Sequence, residues 1–343
     1  MTDARLRRAA WGVALAAALA FPLAAQNAYL TSVVATGFIL AIAVYGLDIL
    51  LGDAGQLSLA HGGFLGVGAY TAGLLMTRVD LSFWLALPAA IALTAVLGFL
   101  VGMIALRTRG DYFAIFTLAV GVIITIIIDR WESLTGGTDG LIGIPPPTAL
   151  GPIDFGSVTA QYYLALVLLM IAMLATYRIR HSLLGRALRA IHTSEELAAA
   201  VGIDVGRRKR LAFAISAAYA GAAGALYAPF LGYIGPSLSS FVMTFNLLLY
   251  LLLGGVATLA GPIVGTLVVL GLTQTLQLFA DYQPIILGPV LVLIVIFFPH
   301  GLVGLGQMVR RRFRRPAPPS PVETSSSFPE EPLHAATGRE AGD

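Results

Sequence analysis

The sequence predicts an all-α, polytopic membrane protein of about ten transmembrane helices with both termini in the cytosol. Three observations carry that expectation. Hydrophobic residues make up 57% of the chain and charged residues only 11%, where a soluble domain carries about 25% charge. The mean hydropathy is +0.85. Apolar runs long enough to cross a bilayer, about 20 residues each, recur from Trp11 to His300.

Helices are expected at 9–25, 30–51, 60–77, 82–106, 112–130, 160–177, 211–232, 240–258, 262–279 and 285–300. Basic residues gather on the cytosolic side of a membrane. With the amino terminus inside, 19 of the 21 Lys and Arg fall in cytosolic segments, and only Arg78 and Arg130 fall outside. Removing one interior helix would reverse the side of everything after it and destroy this sorting.

Residues 1–29 form a basic segment and first helix. Arg5, Arg7 and Arg8 precede the apolar run Ala9 to Ala20, followed by Pro22-Leu23-Ala24-Ala25. That pattern fits a signal peptide with its small-residue cleavage region, or an anchor helix that is kept. Either way the chain leaves this segment on the outer side. Residues 30–305 form the transmembrane domain. Its pairs Gly62/Gly66, Gly98/Gly102 and Gly261/Gly265 allow close helix approach. The interior prolines Pro88, Pro229, Pro262 and Pro289 suggest kinked or broken helices, which persist in lipid only where protein or a water-filled cavity satisfies the freed backbone. Ordinary packing explains most of the 38 glycines.

The outer loop Glu132 to Thr159 contains LTGGTDGLIGIPPP, turn chemistry that predicts a compact cap. A short echo between Gly55-Gln56-Leu57-Ser58 and Gly255-Val256-Ala257-Thr258 hints at two related halves. Residues 306–343 form a basic and then Pro-, Ser- and Glu-rich cytosolic tail, expected to be disordered from Pro316 onward.

The long polar stretch Tyr177 to Leu211 carries eight basic residues, Arg178, Arg180, Arg186, Arg189, Arg207, Arg208, Lys209 and Arg210. It is therefore expected to be cytosolic. Leu183 to Val201 is rich in helix formers, and Thr193 or Ser194 can cap a second short helix with Glu195 and Glu196 in its first turn. Such a helix-turn-helix, ending in Gly202, is a shape another protein could grip. A merely solvated connection would carry the same charge, so charge does not decide.

Several function classes find no support. No catalytic constellation is visible: the histidines show no HExxH spacing, and no Gly-x-Ser-x-Gly elbow occurs. The absence of cysteine removes thiol chemistry and Cys metal sites, so no metal site and no bound cofactor are expected. Nucleic-acid binding is not expected either, since the basic residues follow membrane topology. Lys209 is the only lysine and has no glycine-rich loop ahead of it, so a Walker A site cannot form. ATP-driven transport would need an ATPase on another chain.

Polar residues within the membrane are costly and therefore candidates for a translocation path. Asp48 is the only carboxylate well within an expected helix; it fits either a proton or cation site or a carboxylate paired inside the bundle. Gln56, Ser58 and His61 stand beside glycines at a helix entrance, where a break can line a pore or simply pack. Asn246 and Gln274 are read the same way.

Five ordered stretches carry a resemblance. They are GDAGQLSLAHGGFLGVGAY (52–70), LRTRGDYFAIFTLA (106–119), LTGGTDGLIGIPPPTALG (134–151), ALRAIHTSEELAAAVGIDVGRRKRLAFAISAAYAGAAGALYAP (187–229) and GGVATLAGPIVG (254–265). Over roughly residues 30 to 305 the chain resembles the LivM-type permeases of branched-chain amino acid ABC transporters; urea and short-chain amide permeases share much of the pattern. The resemblance implies a multi-pass subunit of the bacterial inner membrane, with a second LivH-like permease, two cytosolic ATPases and a periplasmic binding protein as partners. It also implies a coupling element at 183–206 within the loop 178–210, with Glu196, Ala198, Ala199 and Gly202 matching the Glu-Ala-Ala…Gly helix that docks on the ATPase, and Glu195 and Arg186 nearby. Gly136, Gly137, Asp139 and Gly140 fall in the outer loop expected to meet the binding protein. Two departures are visible. The family often carries Glu where this chain has Val122, and Asn where it has Asp48.

Overall fold

The computed structural model of the chain describes residues 2–25, 27–106, 110–152, 154–276 and 301–304. Its helices in chain order are α1 (Thr2–Ala25), α2 (Ala28–Asp48), α3 (His61–Arg78), α4 (Phe83–Ala105), α5 (Asp111–Arg130), α6 (Glu132–Thr135) and α7 (Val158–His181). They continue with α8 (Leu183–Thr193), α9 (Glu195–Ala200), α10 (Val205–Leu231), α11 (Phe241–Gly254) and α12 (Gly261–Leu276). Two short strands, β1 (Leu141–Ile142) and β2 (Tyr233–Ile234), complete the list of elements used below.

Among the described residues, five helical segments are long and apolar enough to cross a membrane: Ala28–Asp53, α4, α5, α7 and α10. Parts of α1, α11 and α12 are apolar but shorter. Each of the first nine expected helices coincides with a helix, whereas the tenth, at 285–300, lies outside the described residues. So do Arg107, Arg109 and the tail from 306 onward. Three helices run well beyond their expected bounds, α1 starting already at Thr2. α7 continues to His181 and α10 begins at Val205, because arginine and lysine are good helix formers and a helix satisfies its own backbone beyond the apolar run.

The core forms around α2, whose residues from Gly37 to Asp48 are all buried. Its apolar stretch is 83% buried, against 22% for α4. A helix that is hydrophobic all round is one surrounded by others. α10 is the second central helix and packs on α2, α3 and α4. Its crossing with α3 depends on missing side chains: Gly68 faces Gly221, Gly224 sits on the Leu65 carbonyl, and Thr94 of α4 fills the notch at Gly221. The expected pair Gly98/Gly102 likewise lies against Ala217 and Phe213 of α10.

Two helices start inside the bundle rather than at its ends. The extended stretch 54–60 folds back from the end of α2, so that His61 at the start of α3 lies level with Gly46 of α2, joined to it through Ser216. From the opposite end, β2 and the 3-10 turn Pro236–Ser239 lead down to α11, whose start packs on Gly62 and Gly66 of α3. Both non-helical stretches lie on one face of α5. The Leu59 N–H donates to Thr117 Oγ1 (3.0 Å), Gly121 leaves room for Leu59 and Ala60, and Thr125 Oγ1 donates to the Ser239 carbonyl (2.7 Å). The spacing of these three residues by four places them on one helix face. Irregular backbone at this depth is tolerated where protein groups satisfy it, and those two hydroxyls do so.

The stretch expected to form a compact cap does fold. α6, the turn Gly137–Asp139 and β1 follow one another, and β1 pairs antiparallel with β2 through Leu141–Ile234 and Ile142–Tyr233. Thr135 Oγ1 donates to the Ile128 carbonyl at 2.6 Å, and Arg78 Nη1 donates to the Ser133 carbonyl at 2.8 Å.

Candidate functional site

At the end of the bundle opposite the cap, the last turn of α2 changes geometry. In an α-helix, residues five apart point ~140° away from each other. From Ile49 to Asp53 the helix widens into a π-turn, whose i→i+5 bonding brings such residues onto one side. Asp48 and Asp53 thereby face the same guanidinium. Arg180, in the last turn of α7, donates from Nη2 to Asp48 Oδ2 (2.6 Å) and from Nε to Asp53 Oδ2 (2.8 Å). All three residues are buried. The remaining Asp48 oxygen, Oδ1, accepts the Ala257 N–H at 2.7 Å. Asp48 is thus fully enclosed, with both oxygens occupied.

The helix pair α8–α9 is attached at this cluster. Arg189 of α8 places Nη1 3.8 Å from Asp53 Oδ1 and donates from Nη2 to the Arg180 carbonyl (3.0 Å). His192 donates from Nδ1 to the Gly52 carbonyl (3.2 Å), and its ring lies over Gly55, where a Cβ would come within 2.7 Å. Gly55 has φ +66°, a conformation natural to glycine. Leu188 and Ile191 bury the inner side of α8. Ser182 caps α8 by accepting the Gly185 N–H, and Ser194 caps α9 by accepting the Leu197 N–H (3.2 Å).

The loop residues singled out from the sequence divide between two faces. Ala198 is buried, and Glu195 ion-pairs with the buried Lys209 of α10. Arg186, Glu196, Ala199 and Gly202 are exposed, and Gly202 turns the chain with φ +86°. Leu197 and Val201 are exposed beside them, at 64% and 71%. The result is a short projecting knob with an apolar tip and one free acid, braced from behind.

The candidate path residues do not form a single group. Ser58 is buried and Gln56 is half-buried. His61 is buried with Nε2 2.7 Å from Ser216 Oγ. The Ser216 hydroxyl gives its proton to the Gly46 carbonyl (2.5 Å), which makes His61 Nε2 the donor to Ser216. Asn246 is half-buried on α11, beside exposed Phe245 and Val242. Gln274 lies apart on α12, where it accepts the Tyr29 hydroxyl (2.7 Å) at the rim of an apolar cleft of about 910 Å³ between α1, α2 and α12. Val122 is 41% exposed on α5. In the cap, Gly136, Gly137 and Gly140 all have positive φ and Asp139 is exposed.

Sequence reasoning missed Asp53, Arg180, Arg189, His192 and Ala257 as one cluster. The available signal was a pair of aspartates five residues apart at the end of an apolar helix.

Comparison with known proteins follows the same lines. A family model described as "Branched-chain amino acid transport system / permease component" matches residues 29–297. The chain is 34% identical over 281 residues to the high-affinity branched-chain amino acid transport system permease protein LivM of Salmonella typhimurium, covering 75% of this chain and 66% of that protein. It therefore spans just under two thirds of the length of this relative. It is 28% identical over 290 residues to LivH of the same organism, covering 79% of this chain and 93% of the relative. The permease protein BraD of Pseudomonas aeruginosa is 25% identical over 283 residues, covering 77% and 91%. No solved structure matches the chain. With the family model matched over most of its length, from the start of α2 onward, the chain belongs to the family of branched-chain amino acid transport permease components.

Proposed function

We propose that this protein is one of two permease subunits of an ATP-binding cassette importer for branched-chain or related amino acids in a bacterial inner membrane. The observation that carries the reading is the α8–α9 knob. Glu196, Leu197, Ala199, Val201 and Gly202 project from the bundle, while Ser194, Ala198 and the Glu195–Lys209 ion pair hold the knob from within. A capped, braced and apolar-tipped helix pair is suited to docking in a groove on another protein. The chain has no phosphate-binding loop of its own. Two ATPases would then grip this knob and its counterpart on a LivH-like partner. A periplasmic binding protein would deliver the amino acid to the cap around Gly136–Gly140, and the solute would pass between the two permeases.

The relatives named for branched-chain amino acid transport support that substrate class over urea or amides. The enclosure of Asp48 by Arg180 and the Ala257 N–H favours a structural role for that carboxylate over ion coupling. The test is the combined substitution Glu196→Arg and Gly202→Trp. Loss of leucine uptake and of ATPase association, with normal amounts of the chain in the membrane, is expected. Unchanged uptake and association would refute the docking role.

A further inference from the structure

Resting on the permease reading, we infer that Arg180, clasped by Asp48 and Asp53, is the positioning residue that holds α8–α9 in register with the turn after α2 and the turn between α11 and α12, so that movement of the knob reaches α2, α7 and the α11–α12 turn together. Asp53 is the joint. One carboxylate binds Arg180 of the bundle through Oδ2 and faces Arg189 of the loop through Oδ1. α8 grips the same turn once more through His192 to the Gly52 carbonyl, and grips the end of α7 through Arg189 to the Arg180 carbonyl.

Asp48 carries the link onward. Its Oδ1 holds the N–H of Ala257, whose φ is +59°. A non-glycine residue persists in that conformation only where its surroundings fix it, and such residues cluster at switch regions. Gly52 makes the approach possible, since a Cβ there would lie 2.5 Å from Asp48 Oδ1 and 2.9 Å from Ala257 N. Tyr45, one turn earlier on α2, donates to the Leu259 carbonyl at 2.5 Å. The turn between α11 and α12 is therefore hung from α2 at two points, and the stronger one is the carboxylate that Arg180 holds.

The charges also close. Asp48 and Asp53 balance Arg180 and Arg189, so the cluster is stable when complete, and removing Arg180 leaves the buried Asp48 without a cationic partner. A π-turn in the middle of such a cluster is a common mark of a functional position. Coupling carried by ion networks between rigid helices is a recognised route for transmitting motion.

The chain has no cysteine, so Thr193→Cys gives a unique spin-label site at the exposed end of α8. The full chain, purified in lipid with whatever ATPases accompany it, would be compared with two variants. Arg180→Gln removes the guanidinium that joins the two carboxylates. The triple variant Asp48→Asn, Asp53→Asn, Arg180→Gln keeps shape and hydrogen-bonding atoms without buried charge, which guards against simple failure to fold. In both, label mobility at position 193 is expected to rise. Leucine moved per ATP hydrolysed is expected to fall by about tenfold, with the amount of bound ATPase unchanged. A purely structural role would lower the yield of folded chain and leave that ratio alone. Unchanged mobility in both variants, or an unchanged ratio, would overturn the inference. If the unsubstituted chain brings no ATPase or carries no leucine, the permease reading fails instead, and label mobility alone decides whether Arg180 positions the pair.

Discussion

The two helix breaks at this end of the bundle share a local pattern but bear different loads. Gly55-Gln56-Leu57-Ser58-Leu59-Ala60 follows α2, and Gly255-Val256-Ala257-Thr258-Leu259-Ala260 follows α11. Each begins with a glycine at positive φ, +66° and +115°, and each leads into a returning helix. The first is flanked by Asp48 and Asp53 and receives Arg180, Arg189 and His192. The second has no charged residue nearby in sequence and offers only backbone: an N–H to Asp48 and a carbonyl to Tyr45. Turn chemistry set by a glycine and a hydroxyl builds the bend in both cases. What differs is the ion cluster, which ties one bend to the loop and makes the other follow it.

The largest expected effect comes from breaking the loaded side. Arg180→Met leaves buried Asp48 with the Ala257 N–H alone and Asp53 with only the more distant Arg189, which costs about 3–5 kcal/mol. Thermal melting in detergent should show a large fall in stability. A negligible fall would mean that water reaches the cluster and that the two breaks are loaded alike. Next in size is Tyr45→Phe, which strands the Leu259 carbonyl and costs about 1–3 kcal/mol. Amide exchange should speed up across 255–261 and stay unchanged across 55–61. Equal acceleration in both stretches would contradict the separation drawn here.

The smallest pair of effects sharpens the contrast between the two hydroxyls. Thr258 Oγ1 accepts the Gly261 N–H (3.0 Å) and donates to the Gly255 carbonyl (2.8 Å). Ser58 Oγ meets the Ala60 N–H only at 3.4 Å. Thr258→Ala should therefore cost about 1 kcal/mol, as loss of a helix cap does, and Ser58→Ala less. The reverse order in melting temperature would show that the first break depends on its hydroxyl rather than on its ions.

Much of the bundle was legible because apolar length is what a spanning helix needs. The helix pair at 183–200 was legible from helix formers and a capping serine, and the folded cap from its glycines. The echo between 55–58 and 255–258 was visible as a faint likeness, and in the fold both stretches occupy corresponding bends. The cluster was not legible. The apolar run ends at Tyr177, which places Arg180 in the loop, whereas a helix continues readily through arginine and α7 reaches His181. α-helical spacing turns Asp53 away from Asp48, and only the π-turn aligns them. Pairing of Asp48 with Arg180 joins residues far apart in sequence, and no local pattern announces it. Gln274 lies beside Tyr29 on the α1–α2 side, a placement that composition could not give because it does not fix the face of an apolar helix.

The most direct measurement is affinity purification of the intact chain from its native membrane, followed by mass spectrometry of its companions. A second permease and two ATPases are expected, with the ATPases lost in the Glu196→Arg, Gly202→Trp variant. Recovery of the chain alone, in a detergent that keeps known importers assembled, would contradict the importer reading.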